Sequence, residues 1–247
     1  MQPEVYEVEA EVEPTHWWFV GRRRLFAREL TRAGLRSDSR VLDVGPGTGA
    51  NLRLLRDLRV SDVVGLENNE MAIRFCLSKG LGDMRRGDIC AMPFEDGSFD
   101  FVLATDVIEH VDDDAGALHE IARVLKGCGK ALIAVPAFPS LWGLQDEVAL
   151  HKRRYRMKSL LQKMSAAGLE PLHSYYFNYL LFAPIWLARR LIALFGIKGA
   201  SENEFNSPLV NRLLSAVFLL DVSTAPKLRP PFGVSILVVG QKVTKSH

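Results

Sequence analysis

Val41-Leu42-Asp43-Val44-Gly45-Pro46-Gly47-Thr48-Gly49-Ala50-Asn51 is the stretch on which the reading of this chain turns. Arg40 to Val44 reads as a buried strand, a glycine-rich turn follows, and a helix is predicted from about Gly49 through Leu58. Glycines at alternate positions let the backbone take angles that a side chain forbids and pass close to a ligand. The start of the next helix adds N–H groups with no partner inside the helix. These features describe a nucleotide or nucleoside site and leave its ligand open.

Gly45-x-Gly47-x-x-Ala50 is a loose fit to the dinucleotide fingerprint of nicotinamide and flavin sites. Two features tilt the choice elsewhere. Asp43 lies at the strand end, two residues before the first glycine, and Gly49 adds a third alternate glycine. About one βαβ unit later, Val63-Val64-Gly65-Leu66 ends in Glu67, placed to accept from ribose hydroxyls. Asp-x-Gly-x-Gly-x-Gly followed by an acidic residue resembles the first two motifs of class I S-adenosylmethionine (SAM) methyltransferases. A nicotinamide or flavin site and a ligand-free turn are the competing readings.

The 247 residues suit one large α/β domain, 1–247, with an insertion. A composition 48% hydrophobic and 24% charged favours a packed core over disorder. A net charge of +2 argues against a dedicated nucleic-acid binder. Cys76, Cys90 and Cys128 have no metal-type spacing and fit a reducing cytosol, and an acidic N-terminus does not read as a signal peptide. The expected location is therefore cytoplasmic.

Residues 1–15 carry five glutamates and no base, which reads as a mobile acidic arm. His16-Trp17-Trp18-Phe19 opens a helix to about Ala33, with Phe19, Phe26, Leu30 and Ala33 on one face. Arg24, Arg28, Arg32 and Arg36 form a stripe, either solvated or facing anionic lipid or phosphate. The aromatic run either packs on the sheet or faces the SAM sulfonium. Helix Glu70–Lys79 and a short strand near Met84–Arg86 lead to Gly87-Asp88-Ile89. Phe101 to Thr105 is an apolar strand that delivers Asp106-Val107-Ile108-Glu109-His110 to the carboxyl edge, where such sheets bind ligands. Asp112 is expected to cap the next helix, Gly127 to end it, and Lys130 to Val135 to form strand five.

The run Phe94–Pro136 resembles the subgroup containing ubiquinone and menaquinone methyltransferases. Leu141-Trp142…Asp146…His151-Lys152-Arg153-Arg154-Tyr155, with the Trp-Trp-Phe…Arg-Arg start, is similar to a further branch of SAM methyltransferases in which this segment sits over the pocket. Together the resemblances cover roughly residues 16–178 and 232–242. They imply a Rossmann-like seven-stranded sheet in the order 3-2-1-4-5-7-6, strand seven antiparallel, with flanking helices. They also imply SAM as cofactor, held by Asp43, Gly45, Gly47, Gly49, Glu67, Asn68, Asp88, Ile89 and Asp106. A small-molecule acceptor, lipophilic and methylated at oxygen or carbon, is the expected substrate. His110 and His151 are the candidate general bases, each with a merely structural role as the alternative. Asp146, Glu147 and His151 are poorly spaced for a metal, and none is expected. The basic cluster from His151 to Lys158 reads either as a solvated turn or as a clamp for an anionic substrate.

Residues 179–231 are expected as a helical insertion or lid: Tyr179 to Phe195, then Pro208 to Leu220, before a last strand at Gly233–Gln241. Ser174 to Ala188 is uncharged, but Arg189 and Arg190 interrupt before the ~20 residues a span requires. Those arginines fall where an interfacial helix would meet headgroups. The insertion reads either as core and homodimer interface or as peripheral membrane contact. A SAM-binding partner protein without transfer and an NAD-dependent oxidoreductase are the other functional classes.

Overall fold

The computed structural model describes residues 12–195 and 207–244. The expected arm at 1–15 therefore lies largely outside the described residues. Seven strands form one sheet: β1 (Arg40–Val44), β2 (Asp62–Glu67), β3 (Asp83–Arg86), β4 (Phe99–Thr105), β5 (Leu125–Pro136), β6 (Leu169–Phe177) and β7 (Ser235–Lys242). Their order is β3-β2-β1-β4-β5-β7-β6. The first five pair in parallel, and β7 runs antiparallel between β5 and β6. This is the expected sheet.

Eight helices accompany it among the described residues: α1 (Trp17–Arg32), α2 (Ala50–Asp57), α3 (Glu70–Ser78), α4 (Asp114–Val124), α5 (Leu144–Val148), α6 (Met157–Ala166), α7 (Phe182–Phe195) and α8 (Pro208–Leu228). The central strands are apolar on both faces because both are covered. Leu42, Val102 and Ile133 meet Leu118, Ile121 and Leu160 of α4 and α6 on one side. Val41, Leu103 and Leu132 meet Leu25, Leu55 and Phe218 of α1, α2 and α8 on the other.

Several boundaries move. Asp113, not Asp112, caps α4, accepting from the Gly116 N–H at 2.8 Å. α4 stops at Val124 because Leu125 already pairs with Phe99, so Gly127 and Gly129 lie within β5. α8 runs on to Leu228 rather than ending at Leu220. Asp221 does not break it, because the carboxylate is fully buried and accepts from the N–H groups of Asn178 (2.7 Å) and Leu180 (2.8 Å). α8 is long and apolar enough to cross a membrane by composition. Its Phe218, Val222 and Ala225 nevertheless lie in the core.

The aromatic start of α1 also finds its partner in α8. Phe218 is stacked on Trp18 (5.2 Å, 22°) and edge-on to Trp17 (5.2 Å, 89°). Gly21 makes room, since a Cβ there would stand 2.2 Å from the Phe218 ring. These two tryptophans therefore pack against the insertion, and the Arg22 guanidinium lies 5.3 Å from the Trp18 ring centre.

Candidate active site

The glycine-rich turn between β1 and α2 sits at the carboxyl edge of the sheet's middle. Gly45, Gly47 and Gly49 all have positive φ (66°, 54° and 89°), which glycine adopts without strain. Each is hemmed differently. A Cβ on Gly45 would lie 2.7 Å from Val107, and one on Gly49 would lie 2.5 Å from Leu81, whereas one on Gly47 would meet nothing within 4 Å. The turn thus leaves open space against bare backbone at Gly47, a cradle suited to a ligand lying close.

Asp43 is fully buried beneath this turn. Its Oδ1 accepts from Asn51 Nδ2 at 3.0 Å, while Oδ2 has no partner. Burial pushes the carboxyl up to about 7, with the Glu67 charge adding and the Asn51 bond opposing. Glu67 ends β2, and its Oε1 accepts from the N–H groups of Asn68 (2.9 Å) and Asn69 (3.0 Å), which fixes the carboxylate at the mouth of the β2–α3 turn. Asn68 is exposed. Asp88 is exposed, its Oδ1 accepting from Cys90 N–H at 2.8 Å, and Ile89 is buried beside it. Asp106, at φ 55°, closes β4 and is held by Arg22 of α1 at 2.5 Å. Cys76 packs under the loop, its thiol pushed up to about 12 by burial, and is therefore inert there.

Gly45 touches Val107, and the chain from Val107 leads directly to the second half of the site. The rings of His110 and His151 lie 4.7 Å apart at 76°, so the two candidate bases come together. His151 Nδ1 meets Asp146 Oδ1 at 2.9 Å. Asp146 is held down to about 2 against burial, by its bonds to His151 and Arg154. It stays anionic, so His151 Nδ1–H donates to it. His151 Nε2 faces Glu109 Oε1 at 3.9 Å. His110 is pulled down to about 4 by burial and by the neighbouring His151, so it is neutral at physiological pH.

Glu109 and Asp146 are the residues that sequence reasoning missed in these roles. Glu109 is fully buried, and neither carboxylate oxygen has a hydrogen-bond partner. Burial, reinforced by Asp106, raises its carboxyl well above the usual range. Its only sequence signal was its place beside His110. Asp146 had been weighed with Glu147 as a metal ligand, but Glu147 is exposed. The donor atoms that do converge belong to Glu109, His110 and His151, all within 4.8 Å of one another, a set able to hold a divalent cation.

The basic run beyond His151 divides: Arg153 and Arg154 are tied into the fold, while Lys152, Arg156 and Lys158 are exposed. Arg154 is buried and donates to Asp146 Oδ1 (2.7 Å) and the Ala137 carbonyl (2.9 Å). Arg153 pairs with Asp114 at 3.1 Å, and the Tyr155 hydroxyl lies 2.8 Å from the same carboxylate. These bonds staple the segment to the β4–α4 connection. Arg189 of α7 also turns inward, donating to the Leu141 carbonyl and lying 3.6 Å from Asp146, so only Arg190 of that pair is exposed. Beyond Phe138 a cavity of about 840 Å³ opens, lined by Phe138, Met157, Leu161 and Tyr176 together with Arg156 and Lys158.

A parallel sheet with an antiparallel seventh strand, a glycine cradle after β1 and an acid closing β2 define the class I methyltransferase fold. Residues 42–133 match the family described as a methyltransferase domain. The chain is 38% identical over 105 residues to a sterol 24-C-methyltransferase of Schizosaccharomyces pombe, covering 40% of this chain and 28% of that one. It is 31% identical over 154 residues to the uncharacterized methyltransferase YcgJ of Bacillus subtilis, covering 59% of each. The chain thus spans under a third of the sterol enzyme and under two thirds of the bacterial protein. The fold is shared with phosphoethanolamine N-methyltransferase 2 of Haemonchus contortus in complex with SAM (TM-score 0.58, 19% identity, 87% of this chain and 51% of that one). Residues 42–133 thus carry a SAM-dependent methyltransferase domain.

Proposed function

We propose that the protein transfers a methyl group from SAM to a small lipophilic acceptor, at oxygen or carbon, with His151 as general base. The observation that carries this reading is the pairing of His151 with Asp146 against the segment that runs on from Val107, the residue packed at Gly45 of the cradle. The cradle at Gly47 and the unpartnered Asp43 oxygen fit a cationic ligand lying on the loop. SAM, when bound, supplies an electrophilic methyl group on a sulfonium.

The chain's own residues supply position and proton transfer. Asp43, the three glycines, Glu67, Asp88 and Asp106 would hold SAM, and alignment with the acceptor provides most of the acceleration. His151 takes the acceptor's proton at Nε2, while Asp146 fixes the tautomer and favours the imidazolium that forms. The apolar lining at Phe138, Met157, Leu161 and Tyr176 supports a lipophilic acceptor. The protein is proposed to act in the cytoplasm.

Incubation of the protein and methyl-labelled SAM with a lipid extract, followed by mass spectrometry, tests transfer directly. Charged hydrogen bonds are worth about 1.5–3 kcal/mol each, so Glu67→Ala should weaken SAM binding at least about tenfold by calorimetry. His151→Ala should preserve that affinity and cut turnover about 100-fold, with a smaller loss in His110→Ala. Unchanged affinity in Glu67→Ala removes the assignment of that carboxylate, and wild-type rates in both histidine variants remove the base. Glu67-dependent binding with no labelled product would instead mark a SAM-binding protein without transfer.

A further inference from the structure

Among the described residues, α7 is an apolar helix whose outer face is left uncovered. None of its described apolar side chains is buried. Leu187, Leu191 and Leu194 form a stripe at helical spacing, exposed by 52%, 43% and 77%. Trp186 stands beside them, with the Arg190 guanidinium 5.6 Å from its ring centre. α8 repeats the pattern, with Leu209 and Leu213 exposed in its first half and Leu220 seven residues further on. A helix of this length is marginal in water without a surface to pack on. These two helices therefore present a surface that calls for an occupant.

The charges say which one. Among the described residues of α7 and α8 the exposed charges are Arg190, Arg212 and Lys227, all cationic, and the one acid, Asp221, is buried. The α7 sequence from Phe182 to Phe195 contains no side-chain hydrogen-bond acceptor and offers donors only from Trp186, Arg189 and Arg190. Hydrocarbon flanked by donors and cations matches acyl chains beneath anionic headgroups, and tryptophan with arginine is the pair that settles at that boundary. We propose that α7 and the first half of α8 seat the protein on an anionic lipid bilayer as a peripheral, reversible contact. This goes beyond the proposed methyl transfer and does not depend on it.

Co-sedimentation of the full chain with phosphatidylcholine vesicles, and with vesicles that also contain phosphatidylglycerol, tests the surface without any turnover assay. The protein should pellet with the anionic vesicles and be released as salt rises. Leu187→Asp/Leu191→Asp should abolish pelleting, and Arg190→Glu should weaken it at least about fivefold. All of these side chains are exposed, so thermal melts of the variants should match wild type. Protein that stays in the supernatant at low salt overturns the proposal. If ultracentrifugation then shows a dimer that Leu187→Asp/Leu191→Asp dissociates, the face belongs to a second copy of the chain. Equal pelleting with both vesicle types overturns the anionic requirement.

Discussion

Asp43 shows what a single residue can and cannot disclose in a sequence. Its position before the glycines was legible as a strand-end acid. Its burial, its bond to Asn51 and its orphan oxygen depend on neighbours 8 to 62 residues away that only folding assembles. The same holds at the second half of the site, where His110 and His151 stood out as histidines. Asp146, which fixes the tautomer, lies on a five-residue helix with too few positions for a periodic signal. The Asp43 carboxyl, raised from its ordinary 3.8 to about 7, carries a consequence for stability. The folded state binds more protons than the unfolded chain between those two values, so stability falls as pH rises through that window. One pKa unit is worth about 1.4 kcal/mol, which puts the cost above neutral pH on the order of 4 kcal/mol. Asp43→Asn keeps an oxygen for Asn51 and removes that cost. Urea unfolding of the SAM-free protein should therefore show the variant more stable than wild type near pH 8 and equal to it below about pH 4. SAM affinity at the higher pH should fall, because a carboxylate near a cationic ligand is gone. A variant less stable than wild type near pH 8 would show that Asp43 is ionised at no cost.

At the scale of elements, the middle of the sheet was legible because β1, β4 and the second half of β5 are apolar runs. The insertion was not, because both of its helices are apolar around much of their circumference and periodicity cannot choose a face. The choice is made by Gly21 and Phe218, 197 positions apart, a ring fitted against a missing Cβ. Asp221 misled for a related reason: a lone acid in an apolar run looks like an exposed end, and here it binds two backbone N–H groups at the exit of β6. Since α8 supports α1, and α1 carries Arg22 to Asp106, the insertion reaches the cofactor edge through two contacts. Phe218→Ala should cost about 3–5 kcal/mol in global stability, as expected for a fully buried aromatic. It should also weaken SAM binding by loosening α1, while Leu213→Ala on the exposed side of the same helix should do neither. A Phe218→Ala protein that unfolds at the wild-type denaturant midpoint would mean that α8 is not part of the cooperative core.

Over the whole molecule, the beginning of the described chain is bound to α8 and to the glycine-rich loop at once. Asn211 of α8 accepts from Trp17 N–H (2.8 Å) and donates to the Thr15 carbonyl (2.9 Å), and Arg23 donates to the carbonyls of Glu13 and Pro14. Glu13, fully buried, then receives the Thr48 hydroxyl at 2.5 Å and pairs with Arg53. Thr48 lies between Gly47 and Gly49, so residues 12–16 form a strap across the cradle rather than the loose end their composition suggested. Composition could not reveal it: one glutamate among five is selected by Arg53, forty residues on. A buried carboxylate with two partners contributes through both, and Arg53 is open enough to solvent (23% exposed) to limit the loss when its partner goes. Glu13→Ala should therefore cost about 1–3 kcal/mol of stability, chiefly through the unpaired Arg53 and the freed strap. Its larger signature should be kinetic. With the strap released, the loop that holds SAM opens more often, so the dissociation rate should rise about tenfold with little change in the association rate. Arg36→Ala, which removes an exposed pair with Asp38, serves as the control and should change neither rate. Stopped-flow measurement of SAM release decides the matter. An unchanged dissociation rate in Glu13→Ala would make the strap a structural tie at the edge of the cradle with no part in retaining the ligand.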